Sequence, residues 1–175
     1  MPGAEQALMP ESIRPAESTD FPQIDAILHA AFGTGAEAQL VRRLREDGAL
    51  RLENVAVMEG RVIGHIAFSN LEVSSSATRL AAVALAPLSV SPEHQKAGIG
   101  SRLVLDSHRR LASANIALSV VLGHPGYYPR FGYSATCARQ LQAPYSGPSF
   151  MAVELRHSCL ENRLWSVSYA RAFSQ

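Results

Sequence analysis

The sequence predicts a mixed α/β domain in which helices cover the faces of one mixed β-sheet. Three observations indicate this class. The elements follow the order β-α-α-β-β-β-α-β-α-β, a run at 79–90 is apolar on both faces as in a central strand, and Glu59-Gly60 joins two strand-like segments as a tight hairpin turn. A chain of 175 residues is long enough for one domain with its own core.

The composition limits the classes of partner. Hydrophobic residues make up 47% of the chain and charged residues 18%, which is typical of a globular protein and not of a disordered one. The formal net charge is only +1, so the protein as a whole has no electrostatic attraction to nucleic acid or to an anionic membrane. We therefore expect neither as a partner, and any anion site must be local.

The termini and cysteines indicate the compartment. Cys137 and Cys159 have no CxxC spacing and are expected to be free thiols. The N-terminus lacks the pattern of a signal peptide, and no run reaches the roughly 18 apolar residues of a membrane helix. We expect a cytoplasmic protein with a flexible tail at 1–11 and a single domain at 12–175.

Two amphipathic helices are predicted near the N-terminus. The first, at 20–32, is expected to begin at Asp20, with the carboxylate as its cap. The second, at 34–48, begins with Thr34 and Glu37 at capping-box spacing, which gives Glu37 a structural explanation. A third helix is predicted from Gly98 to about Ala114 by its apolar stripe, and the segment 124–131 is expected to form a short helix or turn.

Apolar and β-branched runs predict strands at 12–16, 53–59, 61–73, 79–90, 116–123 and 149–155. Pro87 interrupts the run at 79–90, and proline cannot donate a hydrogen bond to a neighbouring strand. This predicts either a bulge or a place where the neighbouring strand has separated. The segment 165–173 is either a last strand or an irregular closing segment.

The stretch "EHQKAGIGS" places Gln95, Gly98 and Gly100 directly before the third helix. The first N–H groups of a helix have no partner within it, and its dipole adds partial positive charge there. Glycines let an oxygen-rich group approach the backbone closely, so the loop is either an anion site or only a strand-to-helix turn. It is not a Walker A loop, and Leu103 stands where a dinucleotide fingerprint needs its third glycine.

The spacing Gln95-x-x-Gly98-x-Gly100 resembles the pyrophosphate loop of the GNAT superfamily of N-acetyltransferases. The preceding "LSV" at 88–90 and the later "YPRFGY" at 128–133 are similar to two further segments of that family. "VLGHPGYYPRFGY" resembles a bacterial branch of predicted N-acetyltransferases. The resemblance implies a GNAT-like fold, with a mostly antiparallel central sheet splayed between its fourth and fifth strands and helices on both faces.

The resemblance also implies acetyl-CoA as co-substrate, held between the strand that ends at Val90 and the strand that ends near Leu122. Pantetheine amides would pair with the main chain of Leu88 and Val90, and the pyrophosphate would lie on the loop. The implied cofactor-binding residues are Leu88, Ser89, Val90, Gln95, Lys96, Ala97, Gly98, Ile99, Gly100, Ser101 and Arg102.

For catalysis, Tyr128 matches the family's tyrosine and is the implied acid that protonates the leaving thiolate. Tyr127 is expected to point elsewhere, and the asparagine that often precedes the tyrosine in the family is missing. The strand at 79–90 carries no carboxylate to act as base. His65 shares a strand face with Ser69 and is the candidate base, through water, because histidine titrates near neutral pH. His108 is expected to be a core residue.

The leading interpretation is an N-acetyltransferase that transfers acetyl to a primary amine of a small molecule or peptide, by direct attack in a ternary complex. The alternative is a non-catalytic acyl-CoA-binding regulatory module. A nucleotide-phosphate enzyme is disfavoured, because no lysine follows Gly100 and no acidic cluster suits Mg²⁺. Cysteines and histidines lack metal-ligand spacing, so no metal is expected. A monomer and a homodimer both remain open.

Overall fold

The computed structural model describes residues 9–174 and confirms the mixed α/β class. One sheet of eight strands carries helices on both faces. The strands are β1 (Ser12–Pro15), β2 (Leu50–Met58), β3 (Arg61–Ser75), β4 (Thr78–Val90), β5 (Leu118–Leu122), β6 (Leu141–Gln142), β7 (Phe150–Glu154) and β8 (Trp165–Tyr169). The helices are α1 (Phe21–Phe32), α2 (Ala36–Glu46), α3 (Ile99–Ser113) and α4 (Ala135–Ala138).

The main path of the sheet runs β1-β2-β3-β4-β5-β7. Its neighbours are antiparallel except for β4 and β5, which lie parallel and are connected through α3. The long strand β3 pairs with β2 along its first half and with β8 along its second half. The short strand β6 extends this second edge by pairing with β8. The sheet is therefore mostly antiparallel, as expected.

Two apolar clusters fix the helices to opposite faces. Ile24, Leu28 and Val41 of α1 and α2 pack against β2 and β3 on one face. Leu103 and Leu111 of α3 pack on the other face. These residues recur at helical spacing, so the stripes that predicted the helices are the surfaces that the helices bury.

The sheet divides at the end of β4, at the place that Pro87 indicated. Two residues of β4, Ala86 and Pro87, stand opposite the single residue Ala67 of β3, which is a bulge. On the other side, β4 pairs with β5 only from Ala82 to Leu85. Both predicted outcomes are present, because β4 bulges against one neighbour and separates from the other.

Several local predictions were wrong. Asp20 does not cap α1, because its carboxylate is bound by the Arg14 guanidinium at 2.7 and 2.9 Å and accepts the Glu17 N–H. The second helix begins at Ala36, after the cap residue Gly35, and not at Thr34. The elements α4 and β6 were not predicted, since each has four residues or fewer and no periodicity of its own.

The ends of the chain are described only in part. Residues 1–8 of the expected flexible tail lie outside the described residues, whereas the Glu11 N–H donates to the Val57 carbonyl at 2.9 Å. The closing segment forms strand β8, followed by a 3₁₀ turn at Arg171–Ser174. Within 9–174, no helix is long and apolar enough to cross a membrane.

Candidate active site

Two adjoining cavities lie between the separated ends of β4 and β5. The larger, of about 660 Å³, reaches the end of α1 and the start of α2. The smaller, of about 350 Å³, lies over the loop that precedes α3. Leu88 and Tyr127 line both cavities, so the two adjoin, and together they are called the cleft. Such a cleft suits an elongated ligand with chemically different ends.

The smaller cavity is built on backbone N–H groups. Gly98 has φ +81° and offers no side-chain cap to α3. Among the described residues, the N–H groups of Gly98, Ile99, Gly100 and Ser101 have no hydrogen-bond partner. Four free donors at the positive end of a 15-residue helix form a site for an anion such as a phosphate.

The two glycines of this loop meet different requirements. Gly98 needs its left-handed conformation, although a Cβ there would meet nothing within 4 Å. Gly100 needs the absence of a side chain, because a Cβ would come within 2.8 Å of the Tyr127 hydroxyl oxygen. A side chain at position 100 would fill the space over the free N–H groups. The loop without one therefore fits a pyrophosphate.

The strand above the loop presents main-chain groups to the cleft. The Ser91 N–H donates to the Ile63 carbonyl at 2.8 Å, and the register pairs Val90 with Gly64 and Leu88 with Ile66. Bonded pairs alternate along an antiparallel ladder, so the main-chain groups of Leu88 and Val90 face away from β3. They face the gap that β5 leaves open, where the Gln95 side-chain amide donates to the Val90 carbonyl at 3.2 Å.

The structure brings most of the predicted cofactor residues together. The smaller cavity is lined by the predicted Leu88, Ser89, Val90, Gln95, Lys96, Gly98, Ile99, Gly100 and Ser101. Ala97 and Arg102 do not line it, and the Arg102 guanidinium donates to the Pro10 carbonyl at 3.3 Å. His94, Tyr127 and Arg130 line it without having been predicted. With Lys96, Arg130 places a second cation at the mouth of the anion site.

Tyr128 lines the larger cavity, where the sequence placed the acid. Its ring packs edge-on against those of Tyr127 and Tyr133, with centroids 5.1 and 5.7 Å away. Burial, with a smaller contribution from Tyr127, raises the pKa of Tyr128 to about 12. The phenol therefore keeps its proton at neutral pH and remains a donor.

Tyr127 does not point away from the cleft, contrary to the sequence prediction. It lines both cavities, and the Arg130 guanidinium lies 4.5 Å above its ring. The reason is that Tyr127 and Tyr128 stand at the start of a 3₁₀ turn, Tyr128–Phe131, and not within an α-helix. The two rings diverge at 90° and border the same opening.

His65 is not brought to the cleft. Its ring is fully buried beneath α1 and α2, it lines neither cavity, and its Nε2 lies 2.8 Å from Glu53 Oε1. Burial lowers the pKa of His65, so the neutral ring donates Nε2–H to a carboxylate that Arg45 also binds. Ser89, which pairs with His65 across the ladder, lines the smaller cavity.

The far half of the larger cavity has a mainly aromatic lining, called the aromatic wall, which the sequence did not predict. Its side chains are Phe32, Glu37, Leu40, Tyr145, Tyr169 and Phe173. They come from α1, α2, the loop before β7, and the C-terminal segment, so only the fold brings them together. Glu37 was explained by helix capping, but within 9–174 its carboxylate accepts a hydrogen bond only from the Thr34 hydroxyl, at 3.1 Å.

Residues 9–174 contain no group of three His, Cys, Asp or Glu side chains that could hold a metal ion. A sheet that opens between parallel strands, beside a main-chain anion site and a buried phenol, is suited to group transfer from a long phosphorylated cosubstrate.

Comparison with known proteins defines this class further. Residues 12–136 match the family model of the acetyltransferase (GNAT) domain. The chain is 36% identical to the uncharacterized N-acetyltransferase YhbS of Escherichia coli over 159 residues, or 89% of this chain and 94% of YhbS. It is also 36% identical to the uncharacterized N-acetyltransferase YjhQ of Escherichia coli, over 75% of each chain.

Solved structures support the same family. The crystal structure of YhbS in complex with CoA has a TM-score of 0.86 to this chain at 34% identity, covering 96% of this chain and 94% of YhbS. A GNAT family acetyltransferase from Brucella melitensis, in complex with acetyl-CoA, has a TM-score of 0.76 at 30% identity and covers 93% and 97%. This chain belongs to the GNAT family and is an N-acetyltransferase.

Proposed function

We propose that the protein transfers an acetyl group from acetyl-CoA to the primary amine of a small molecule or peptide, by direct attack within a ternary complex. The observation that carries this proposal is the cleft formed by the two adjoining cavities. It places a main-chain anion site next to a cavity with a protonated phenol and an aromatic wall.

The cofactor would lie along β4 with its ends fixed by different groups. The free N–H groups of Gly98 to Ser101 would hold the pyrophosphate, with Lys96 and Arg130 adding screened charge. The main-chain groups of Leu88 and Val90 would pair with the pantetheine amides in place of a strand. When bound, acetyl-CoA supplies an activated acetyl group whose transfer releases a thiolate.

The residues around the reacting end would each stabilise a developing charge. A main-chain N–H near Val90 would stabilise the negative charge that develops on the carbonyl oxygen. Tyr128 would give its proton to the leaving sulfur, a role that suits a phenol with a pKa of about 12. His65 could take the amine's proton only by relay past Ser89, because its ring does not reach the cleft.

Replacing Tyr128 with phenylalanine tests the acid. Because Tyr128→Phe removes the proton donor and keeps the ring, we expect kcat to fall about 100-fold while the Kd of acetyl-CoA changes less than about threefold. The acetylated product is quantified by mass spectrometry on an amine panel of phenethylamine, spermidine and a peptide with a free N-terminus. Calorimetry gives the Kd.

Leu105→Ala is a suitable control, because Leu105 is 49% exposed on α3, lines neither cavity and has no ionisable group. An unchanged kcat and pH profile in Tyr128→Phe would refute the acid assignment. Wild-type protein that binds no acetyl-CoA, or acetylates no amine of the panel, would refute the proposed function.

A further inference from the structure

We infer that the acceptor is a monoamine with an aromatic or bulky apolar body. Its single nitrogen binds as the ammonium group beside Glu37 and gives one proton to that carboxylate before the neutral amine attacks the acetyl carbonyl. This inference rests on the proposed function and names the substrate class for the same cleft. It concerns the half of the larger cavity that lies beyond Tyr128, between α2 and the C-terminal segment.

The body of the acceptor would contact an aromatic wall. Tyr169 lies between Tyr145 and Phe173, with ring centroids 5.2 and 5.3 Å away in edge-on arrangements. Phe32 and Leu40 contribute apolar surface from the helix side. Edge-on ring packing is the arrangement that aromatic side chains prefer, so a further ring can join this cluster favourably.

The charge of the acceptor follows from Glu37. Among the described side chains that line this cavity, Glu37 is the only one with a formal charge at pH 7 when histidine is counted as neutral. Its carboxylate is half-buried and binds the Thr34 hydroxyl, which leaves acceptor capacity toward the cavity. A carboxylate beside aromatic rings attracts a cationic amine and repels an anionic ligand.

The single carboxylate also limits the number of positive charges. A polyamine, an aminoglycoside or a lysine-rich peptide would place further ammonium groups against apolar walls, where an unpaired charge is costly. A monoamine carries one positive charge, which the single carboxylate of Glu37 can pair. The cavity volume of about 660 Å³ includes the acetyl end, so it accommodates a compact body.

One hydroxyl in the wall has no partner. Tyr169 Oη is buried and makes no hydrogen bond among the described residues, and burial raises its pKa above the usual value. A buried hydroxyl is expected to be paired in the working complex. A polar substituent on the acceptor's body can satisfy it, so the wall accepts rings that carry one polar group.

An acceptor panel tests the substrate class. We expect kcat/KM for phenethylamine to exceed that for spermidine, and that for a peptide with a free N-terminus, by at least about tenfold. Equal or reversed preference would overturn the inference. If acetyl-CoA binds and another amine is the better substrate, only the inference fails. If acetyl-CoA does not bind, the proposed function fails with it.

A binding measurement without turnover tests Glu37. CoA carries no acetyl group, so calorimetric titration of phenethylamine into the CoA-loaded protein reports affinity alone. Glu37→Gln is expected to weaken phenethylamine at least about tenfold and to leave the Kd of CoA unchanged, because the amide keeps the shape and loses the charge. The matched control is Glu46→Gln, at the exposed far end of the same helix.

The wall is tested in the same titration. Phe173→Ala removes a ring from the cluster and is expected to weaken phenethylamine at least about fivefold, with CoA binding retained. Comparable effects of Glu37→Gln and Glu46→Gln would overturn the placement of the ammonium group. Unchanged affinity in Phe173→Ala, measured in a variant with wild-type melting temperature, would overturn the placement of the body.

Discussion

Gly123 leaves room for the Tyr128 ring. A Cβ on Gly123 would come within 2.4 Å of the ring's Cε2 and 2.8 Å of its Cδ2. The residue stands at the end of β5, where its N–H donates to the Ser149 carbonyl at 2.9 Å. The family's asparagine is missing from the stretch before Tyr128, which contains Gly123 instead. Because glycine has no side chain, the Tyr128 ring packs directly on the main chain.

Gly123→Ala is predicted to displace the ring and lower kcat. The new methyl group has no room, so we expect an overpacking cost of about 1–3 kcal/mol in the free energy of unfolding. The same substitution in a Tyr128→Ala background should cost much less, because the ring is gone. Urea denaturation of the four proteins of this cycle measures the coupling, and additive costs would contradict a direct contact.

The sequence predicted a residue's role where that role depends on main-chain groups of a motif. It did not predict roles that depend on the direction of a side chain. The spacing of Gly98 and Gly100 was sufficient to locate free amides. It could not show that Arg102 turns to the Pro10 carbonyl, nor that Tyr127 borders the cleft. The capping-box spacing gave Glu37 a structural role, and only the structure shows that its side chain lines the larger cavity. Side-chain direction depends on neighbours that are distant in sequence.

At the scale of elements, α3 and β5 are joined by a chain of three polar side chains. The Tyr133 hydroxyl lies 2.7 Å from Ser119 Oγ on β5 and 3.1 Å from His108 Nε2 on α3. Burial lowers the pKa of His108 to about 4. The expectation that His108 is a core residue is met only in part, because its ring packs against Tyr133 at the edge of the core and is partly buried. The neutral ring helps to hold the helix that carries the anion site.

This polar chain predicts a dependence of stability on pH. The pKa of His108 lies near 4 in the folded protein and near 6.5 when unfolded, so the unfolded chain binds the proton first as the pH falls. The stabilisation is present above pH 6.5, and we expect about 2–3 kcal/mol to be lost between pH 6.5 and 4.

His108→Gln is the test, because glutamine can bind the Tyr133 hydroxyl and does not titrate. Urea denaturation at several pH values should show a smaller loss in this variant than in the wild-type protein. Parallel losses in both proteins would mean that other groups, such as the buried His65, account for the dependence.

Long elements were predicted to within a few residues because each buries a face whose period is visible in the sequence. The stripe of α3 and the apolar run of β4 are examples. The errors are at element ends. Asp20 looked like a helix cap until the fold brought Arg14 of β1 beside it. Similarly, β6 exists only because β8 lies next to it.

For the whole molecule, the opening of the sheet is what creates a site. Parallel pairing of β4 and β5 ends at Leu85 and Val121, and the freed ends diverge around the cleft. The β4 side provides main-chain groups of Leu88 and Val90 that pair with no strand, and the amides before α3. The β5 side provides Gly123 and, through the following turn, Tyr128. Helices α1 and α2 and the C-terminal segment close the far end with the aromatic wall.

The most direct test of this account compares acetyl-CoA binding to Ser101→Glu and Ser101→Gln by calorimetry at fixed salt. Ser101 is in the first turn of α3 and lines the anion site, and a carboxylate near a helix N-terminus does not harm folding. The two variants match in size and differ in charge.

If the free amides hold the pyrophosphate, Ser101→Glu should weaken acetyl-CoA at least about tenfold more than Ser101→Gln, and the difference should shrink at high salt. Equal affinity of the two variants would contradict the placement of the pyrophosphate on this loop, and with it the orientation of the co-substrate along the cleft.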